Sequence, residues 1–312
     1  MALKGPTDRT QRGAALIVAM LLAAIAASIV AGLFWHQQLW LRQYDYQRDQ
    51  LQAASLARSG IDWARLILQE DAKATRSDHF GEQWAIRLPL TPLDNGEIGG
   101  ELTDQQGLFN VNTLVANGNA QPDAIARYRR LLALLDLPST LAPALTDWID
   151  ADSVPLPDGG AEDALYARLS PPRRPANSPL VTLEELALVA GYTPEVIARL
   201  APFVTALPAS AGVAINVNTA PPEVLAATLD GLALGDANKL AAERLGKPFQ
   251  TIADFRARLP AGISVNELLL RTSSDGFLVR VNVRQNEVRA TALALLVRRG
   301  ADWPRVVWQM IE

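Results

Sequence analysis

The sequence predicts an α+β protein in which one long N-terminal helix packs on an antiparallel sheet, with a large all-α domain inserted between sheet strands. Three observations lead there. An uncharged apolar run from Ala14 to Trp35 continues without proline into an amphipathic helical pattern. Strand-like text is confined to two separated stretches, 83–112 and 276–311. Between them lies a proline-punctuated block whose apolar residues recur at helical spacing.

The first element is the longest. About 20 apolar residues cross ~30 Å of hydrocarbon, so residues 14–35 suffice for a transmembrane segment. Leu51, Ala54, Ala57, Ile61, Ala64 and Leu68 then recur at steps of three and four, with Arg48, Asp49, Gln52, Arg58 and Gln69 largely opposite. One helix over 14–71, roughly 85 Å long at 1.5 Å per residue, fits this pattern. An anchor broken near Trp40 and followed by a separate amphipathic helix fits the same residues.

Residues 72–112 read as the first part of the sheet domain. Trp84–Leu88 and Glu97–Leu102 are expected strands, separated by the turn-forming Pro92-Leu93-Asp94-Asn95-Gly96. Residues 113–272 form the expected helical insertion, with short helices at Asp123–Leu135, Ser139–Asp150, Thr182–Ala190, Pro194–Val204, Pro222–Leu229, Asp236–Leu245 and Ile252–Leu259. Thr182 and Glu185 have the spacing of a capping box. Residues 273–312 return to the sheet. Gly276–Arg284 alternates cleanly, turns at Gln285-Asn286, and is expected to pair with Val288–Arg298, with Arg305–Ile311 as a last strand.

Composition narrows the function classes. Hydrophobic residues make up 49% and charged residues 20% of the chain, as in a globular protein with one membrane segment. The net charge of −4 leaves no basic footprint for nucleic acid or acidic lipid. There is no cysteine, and the only histidines are His36 and His79. A thiolate or His-pair zinc site and a His-based triad are therefore unavailable, and the chain reads as a non-enzyme.

The N-terminal run has three readings: a signal peptide, a plain anchor, or a processed anchor. A signal peptide has a shorter apolar region, and apolar residues resume at Ile29-Val30 just after the small-residue Ala26-Ala27-Ser28. Lys4, Arg9 and Arg12 outweigh Asp8 ahead of the run, which places the N-terminus in the cytoplasm and the rest outside. The third reading uses Arg12-Gly13-Ala14. Arg-Gly just before an apolar helix resembles the processing site of type IV prepilins and type II secretion pseudopilins. The resemblance implies a leader over 1–13, cleavage after Gly13 by a prepilin peptidase, N-methylation of Ala14, and a pilin-type helix.

A second set of motifs narrows the resemblance to a family. Asp147-Trp148-Ile149-Asp150-Ala151-Asp152, Gly160-Ala161-Glu162-Asp163, Pro172–Leu180 and Glu184-Glu185-Leu186 together resemble the minor pseudopilin K family of type II secretion systems. Read without it, the acidic stretch is either a hard-cation site, since calcium takes 6–8 oxygens at about 2.3–2.6 Å, or a solvated loop capping a helix near Glu162. The resemblance implies calcium, with Asp147, Asp150, Asp152, Glu162 and Asp163 as candidate ligands. It also bears on Val18, which stands where most pseudopilins carry the Glu that pairs with a neighbour's terminal amine. A carboxylate at that depth costs on the order of 3 kcal/mol without a partner. A subunit with no neighbour above needs none, as the resemblance implies for a filament cap.

The function so implied is a minor pseudopilin at the tip of the type II secretion pseudopilus, anchored in the inner membrane with a periplasmic domain. Its implied partners are the I-, J- and H-like minor pseudopilins, the major pseudopilin and the prepilin peptidase, with no nucleic acid. A rival reading comes from Ile215–Leu225 and Phe249–Phe255, which are similar to helix-hairpin-helix modules that grip DNA phosphates and would suit a membrane-tethered DNA receptor. Such modules need a tight Gly-x-Gly hairpin backed by Lys or Arg. Here Gly231 and Gly235 are spaced wider and flanked by Asp230 and Asp236, and Gly191 of the earlier copy has no second glycine.

Overall fold

A computed structural model describes residues 9–93 and 96–312. Residues 1–8 of the expected leader, and Asp94-Asn95 of the expected turn, lie outside the described residues. Helix α1 (Arg9–Ala74) is a single element of 66 residues, roughly 100 Å long, with no break at Trp40. It divides sharply in environment. From Gly13 to Arg48 every residue is exposed, whereas Asp49, Ala53, Ala57, Ile61, Ala64 and Leu68 are buried along one face.

That face lies on a five-stranded antiparallel sheet in the order β1-β2-β3-β4-β5, formed by β1 (Leu88–Leu93), β2 (Gly96–Asp104), β3 (Gly276–Gln285), β4 (Val288–Val297) and β5 (Arg305–Ile311). Phe277, Val279, Val281 and Val283 of β3, with Val288, Ala290, Ala292, Ala294 and Leu296 of β4, meet the small residues of α1 in one core. The period-two pattern of β3 thus selects its buried face, and alanines on both partners let helix and sheet approach closely. The β3–β4 hairpin turns at Asn286-Glu287, where Asn286 has φ 52° and donates to Asp49 Oδ2 at 2.7 Å.

Several details depart from the sequence reading. The β3–β4 turn falls at Asn286-Glu287 rather than Gln285-Asn286, and Pro92, Leu93 and Gly96 of the expected turn lie in β1 and β2. Trp84 belongs to a 3₁₀ turn, Gln83–Ala85, rather than a strand. Its indole donates to Glu82 Oε2 at 2.8 Å and its ring meets Phe277 edge-on, so burial of this side chain produces an apolar pattern that mimics alternation. Thr182–Ala190 is a 3₁₀ segment, Leu183–Leu188, because Glu185 accepts from the amides of both Val181 and Thr182 and tightens the turn.

The insertion leaves the sheet after Asp104 and returns at Gly276, although Asp104 and Phe277 are cross-strand partners. The stretch 105–112 runs with the helical block, with Phe109 and Val111 in its core. The insertion consists of two versions of one module. The first starts at Phe109-Asn110-Val111-Asn112-Thr113, continues through α2 (Pro122–Leu134) and α3 (Leu141–Ile149), and reaches Pro179-Leu180-Val181-Thr182. A short helix α4 (Asp163–Tyr166) lies between α3 and that turn, and α5 (Pro194–Leu200) follows it. The second module starts at Ile215-Asn216-Val217-Asn218-Thr219, continues through α6 (Pro222–Thr228) and α7 (Leu234–Gly246), and reaches Pro248-Phe249-Gln250-Thr251 before α8 (Ile252–Ala257).

Each module closes with a two-residue parallel ladder, Phe109-Asn110 to Val204-Thr205 and Ile215-Asn216 to Leu270-Arg271. Each also carries the same staple. Asn112 donates to Leu180 O and accepts from Leu180 N, and Asn218 does the same with Phe249, so one amide side chain replaces a strand's pair of backbone bonds. The modules differ most at one place, besides a short hairpin at Val115–Ala120 that only the first carries. In the second, α7 runs directly into Lys247-Pro248; in the first, residues 150–178 are spliced between α3 and the staple.

A buried polar network joins insertion to sheet. Asp104 accepts from Gln106 N, Asn216 Nδ2, Thr219 Oγ1 and Ser274 Oγ at 2.5–3.2 Å. Arg298, at the end of β4, stacks over Phe277 and donates to Leu68 O, Ser274 O, Asp71 and Asp78.

Candidate functional site

The spliced segment carries the candidate site. Helix α3 is buried throughout and ends at Asp150, whose amide donates to Thr146 O at 2.9 Å. The single-turn α4 starts after Glu162. Trp148 and Tyr166 pack edge to face at 5.1 Å between centroids and hold the two helix ends together, which fixes the loop between them.

The five candidate residues take three different positions. Asp147 has no exposed surface and serves the loop itself, accepting from Ala161 N at 2.8 Å and Leu156 N at 3.1 Å. Gly160 passes so close that a Cβ there would stand 2.5 Å from Asp147 Oδ2, so only glycine lets the chain cross the carboxylate. Asp150, Asp152 and Glu162 converge, each offering an oxygen within 4.8 Å of the others. Asp163 is exposed in the first turn of α4 and stands outside that group.

The converging group is electrostatically unfinished. Asp150 Oδ1 and both oxygens of Glu162 are buried without a hydrogen-bond partner among the described residues. Burial pushes Asp150 up to about 6, with the charges of Asp152 and Asp147 adding to it. Burial pushes Glu162 up to about 7, again reinforced by Asp147 and Asp150. Asp147 is also raised by burial, against the two amide bonds that favour its charged form. Orphaned buried carboxylates are costly, by about 1–3 kcal/mol or more each, unless a cation completes them. The donor set is all oxygen on a Pro- and Gly-containing loop, which fits a hard divalent ion of the calcium class.

The second motif singled out in the sequence has a different use. Asn216 and Asn218 are buried and bonded to Asp78 O, Asp104, Ser274 and Phe249, so they brace the domain from inside. Gly231 has φ 82°, the backbone conformation of a tight turn, beside the exposed Asp230.

Comparison with known proteins follows the modular division. A family model described as type II secretion system protein K matches residues 107–209, and a second of the same description matches 215–272, one per module. A type II secretion system protein K of Pseudomonas aeruginosa is 37% identical, over 94% of this chain and 90% of its own length. The chain belongs to the type II secretion system protein K family. A protein K of Aeromonas hydrophila is 30% identical over 95% of this chain and 96% of its own. A chain in the crystal structure of the GspK-GspI-GspJ complex from enterotoxigenic Escherichia coli superposes with a TM-score of 0.76 at 29% identity, covering 86% of this chain and 99% of that one. As a protein K, the chain is a component of a type II secretion system, and α1 is long and apolar enough to anchor it in a membrane.

What sequence reading missed is the splice. The repeated Asn-Val-Asn-Thr could have revealed it, since the matching asparagine staples span 68 residues in the first copy and 31 in the second, and 150–178 is most of the excess.

Proposed function

We propose that this chain is the minor pseudopilin that caps the tip of a type II secretion pseudopilus, with no catalytic role. The observation that carries this is the insertion of two helical modules between β2 and β3, on a rod whose first half has no packing partner among the described residues. The bare half of α1, Gly13 to Arg48, bundles with the helices of neighbouring subunits, and the modules make the body too broad for another subunit to stack above it. The solved relative is named for a complex with GspI and GspJ, which supports I- and J-like minor pseudopilins as partners here. An H-like subunit and the major pseudopilin follow below them.

In this reading the N-terminus lies in the cytoplasm and the body in the periplasm. A prepilin peptidase cuts after Gly13, and Ala14 becomes the methylated N-terminus. Val18 supports the tip position, because a topmost subunit has no neighbouring amine for a carboxylate to neutralise. Calcium bound by Asp150, Asp152 and Glu162, in a loop that Asp147 holds closed, gives the first module its rigidity.

Complementation of a strain lacking this gene tests the proposal. The wild-type chain should restore secretion, co-purify with the I- and J-like subunits and carry a mature N-terminus at Ala14. Replacing Gly13 with a bulky residue should leave an uncleaved precursor and abolish secretion. Normal secretion with the precursor, or the protein recurring along filament shafts, would overturn it.

A further inference from the structure

We propose that Asp71, Asp78 and Glu82, at the root of α1, form a second divalent-cation site, separate from the acidic loop of the first module. Each offers an oxygen within 4.8 Å of the others, and their carboxylates come from the last turns of α1 and the segment just after it. Side-chain exposure is only 7% for Asp71, 2% for Asp78 and 6% for Glu82. Among the described residues, Arg298 brings the one guanidinium paired with the group, donating to Asp71 Oδ2 at 3.0 Å and to Asp78. Three carboxylates against one guanidinium leave an excess of two negative charges in a place largely closed to solvent.

One atom points to the ligand independently of the cluster. Glu82 Oε1 is buried with no hydrogen-bond partner among the described residues. Its sister Oε2 is fully used, accepting from Trp84 Nε1 at 2.8 Å and His79 N at 3.0 Å. The nearest basic nitrogen, His79 Nε2, stands 3.9 Å from Oε1, beyond hydrogen-bond range. The carboxylate is thus held rigidly by one oxygen while the other is buried and left without a partner among the described residues, in a side chain that reaches the acidic group. Oxygen-only donors with incomplete protein coordination suit calcium or magnesium, with water filling the remaining positions. Asp78 also accepts from Ser274 N, and its carbonyl accepts from Asn216 Nδ2, so an ion here would clamp the rod, the sheet and the second module together.

Terbium, a luminescent stand-in for calcium, tests this in the full chain in detergent. Trp84 is bonded to Glu82, so a bound ion should emit on tryptophan excitation. With the acidic loop silenced by D150N/E162Q, a saturable signal displaced by calcium is expected. E82Q, which can still accept from Trp84 and His79, should weaken that binding on the order of 10- to 100-fold without changing the thermal midpoint measured in chelator. No saturable signal, or unchanged affinity in E82Q, overturns the site. If D150N/E162Q does not fold, the wild-type titration decides. Two binding classes reduced to one by E82Q support the site, and an E82Q titration identical to wild type overturns it.

Discussion

Gly60 of α1 lies against Val281 of β3, so close that a Cβ added to the glycine would stand 2.6 Å from Val281 Cγ1. Gly60 sits mid-helix, where alanine would ordinarily gain about 1 kcal/mol. Val281 is β-branched and confined in the core between sheet and rod, so it has little freedom to move aside. Gly60→Ala is therefore expected to destabilise the protein by about 1–3 kcal/mol, as overpacking does. Chemical denaturation measures it; a stabilised variant would mean that the close approach does not exist.

Asp147 and Glu162 should respond oppositely to metal removal. In chelator, Asp147→Ala is expected to cost about 1–3 kcal/mol, because the buried Leu156 and Ala161 amides lose the carboxylate that accepts from both. Glu162→Gln should cost little in chelator, since it removes a buried charge that has no partner. With calcium the order reverses for Glu162→Gln, which should lose the metal-induced rise in thermal midpoint. Equal rises in wild type and Glu162→Gln would remove Glu162 from the ligand set.

Asp104 gives the junction a pH dependence. Burial raises its carboxyl from the ordinary 3.8 to about 6, despite hydrogen bonds from Ser274 and Thr219 that favour the charged form. Its folded-state value is the higher one, so the favourable contribution is complete below pH 3.8 and is lost as pH rises to about 6. The loss is on the order of 2–3 kcal/mol. Stability curves in saturating calcium should fall more gently across that window in Asp104→Asn than in wild type. Parallel curves would show that Asp104 does not titrate there.

The two asparagine staples should be equivalent in kind. Asn112→Ala frees both backbone groups of Leu180, and Asn218→Ala frees both of Phe249. Each is expected to cost roughly 2–4 kcal/mol, the scale for leaving two buried polar groups unsatisfied. Hydrogen exchange should show the freed amide, Leu180 or Phe249, losing protection in its own variant. Protection unchanged in either would make the staple incidental.

Much of this architecture is legible in the chain. A run of apolar residues at steps of three and four gives α1, and the strict alternation of Phe277 to Val283 gives β3, because each pattern matches one periodicity only. The acidic loop is legible for the same local reason, since Asp147, Asp150, Asp152 and Glu162 are close in sequence. The acids at the root of α1 are equally close in sequence, but what buries and pairs them is not: Arg298 reaches Asp78 across 220 residues, and no spacing rule connects them. Trp84 misleads because a buried indole in a 3₁₀ turn leaves the same apolar signature as a strand residue. Which of five acids converge is decided by backbone amides at Leu156 and Ala161, and these have no signature in composition.

The pairing of β2 with β3 has a consequence for the order in which the molecule is made. Glu97 and Arg284 touch across 187 residues, whereas Asn218 finds Phe249 across 31. Short loops close sooner than long ones, so the modules can fold while the sheet that will carry them is still half synthesised. During that interval β2 has only β1 beside it, and the apolar face of α1 has no sheet to cover it. The anchor is thus inserted, and its cargo of helices folded, before the body joining them can close.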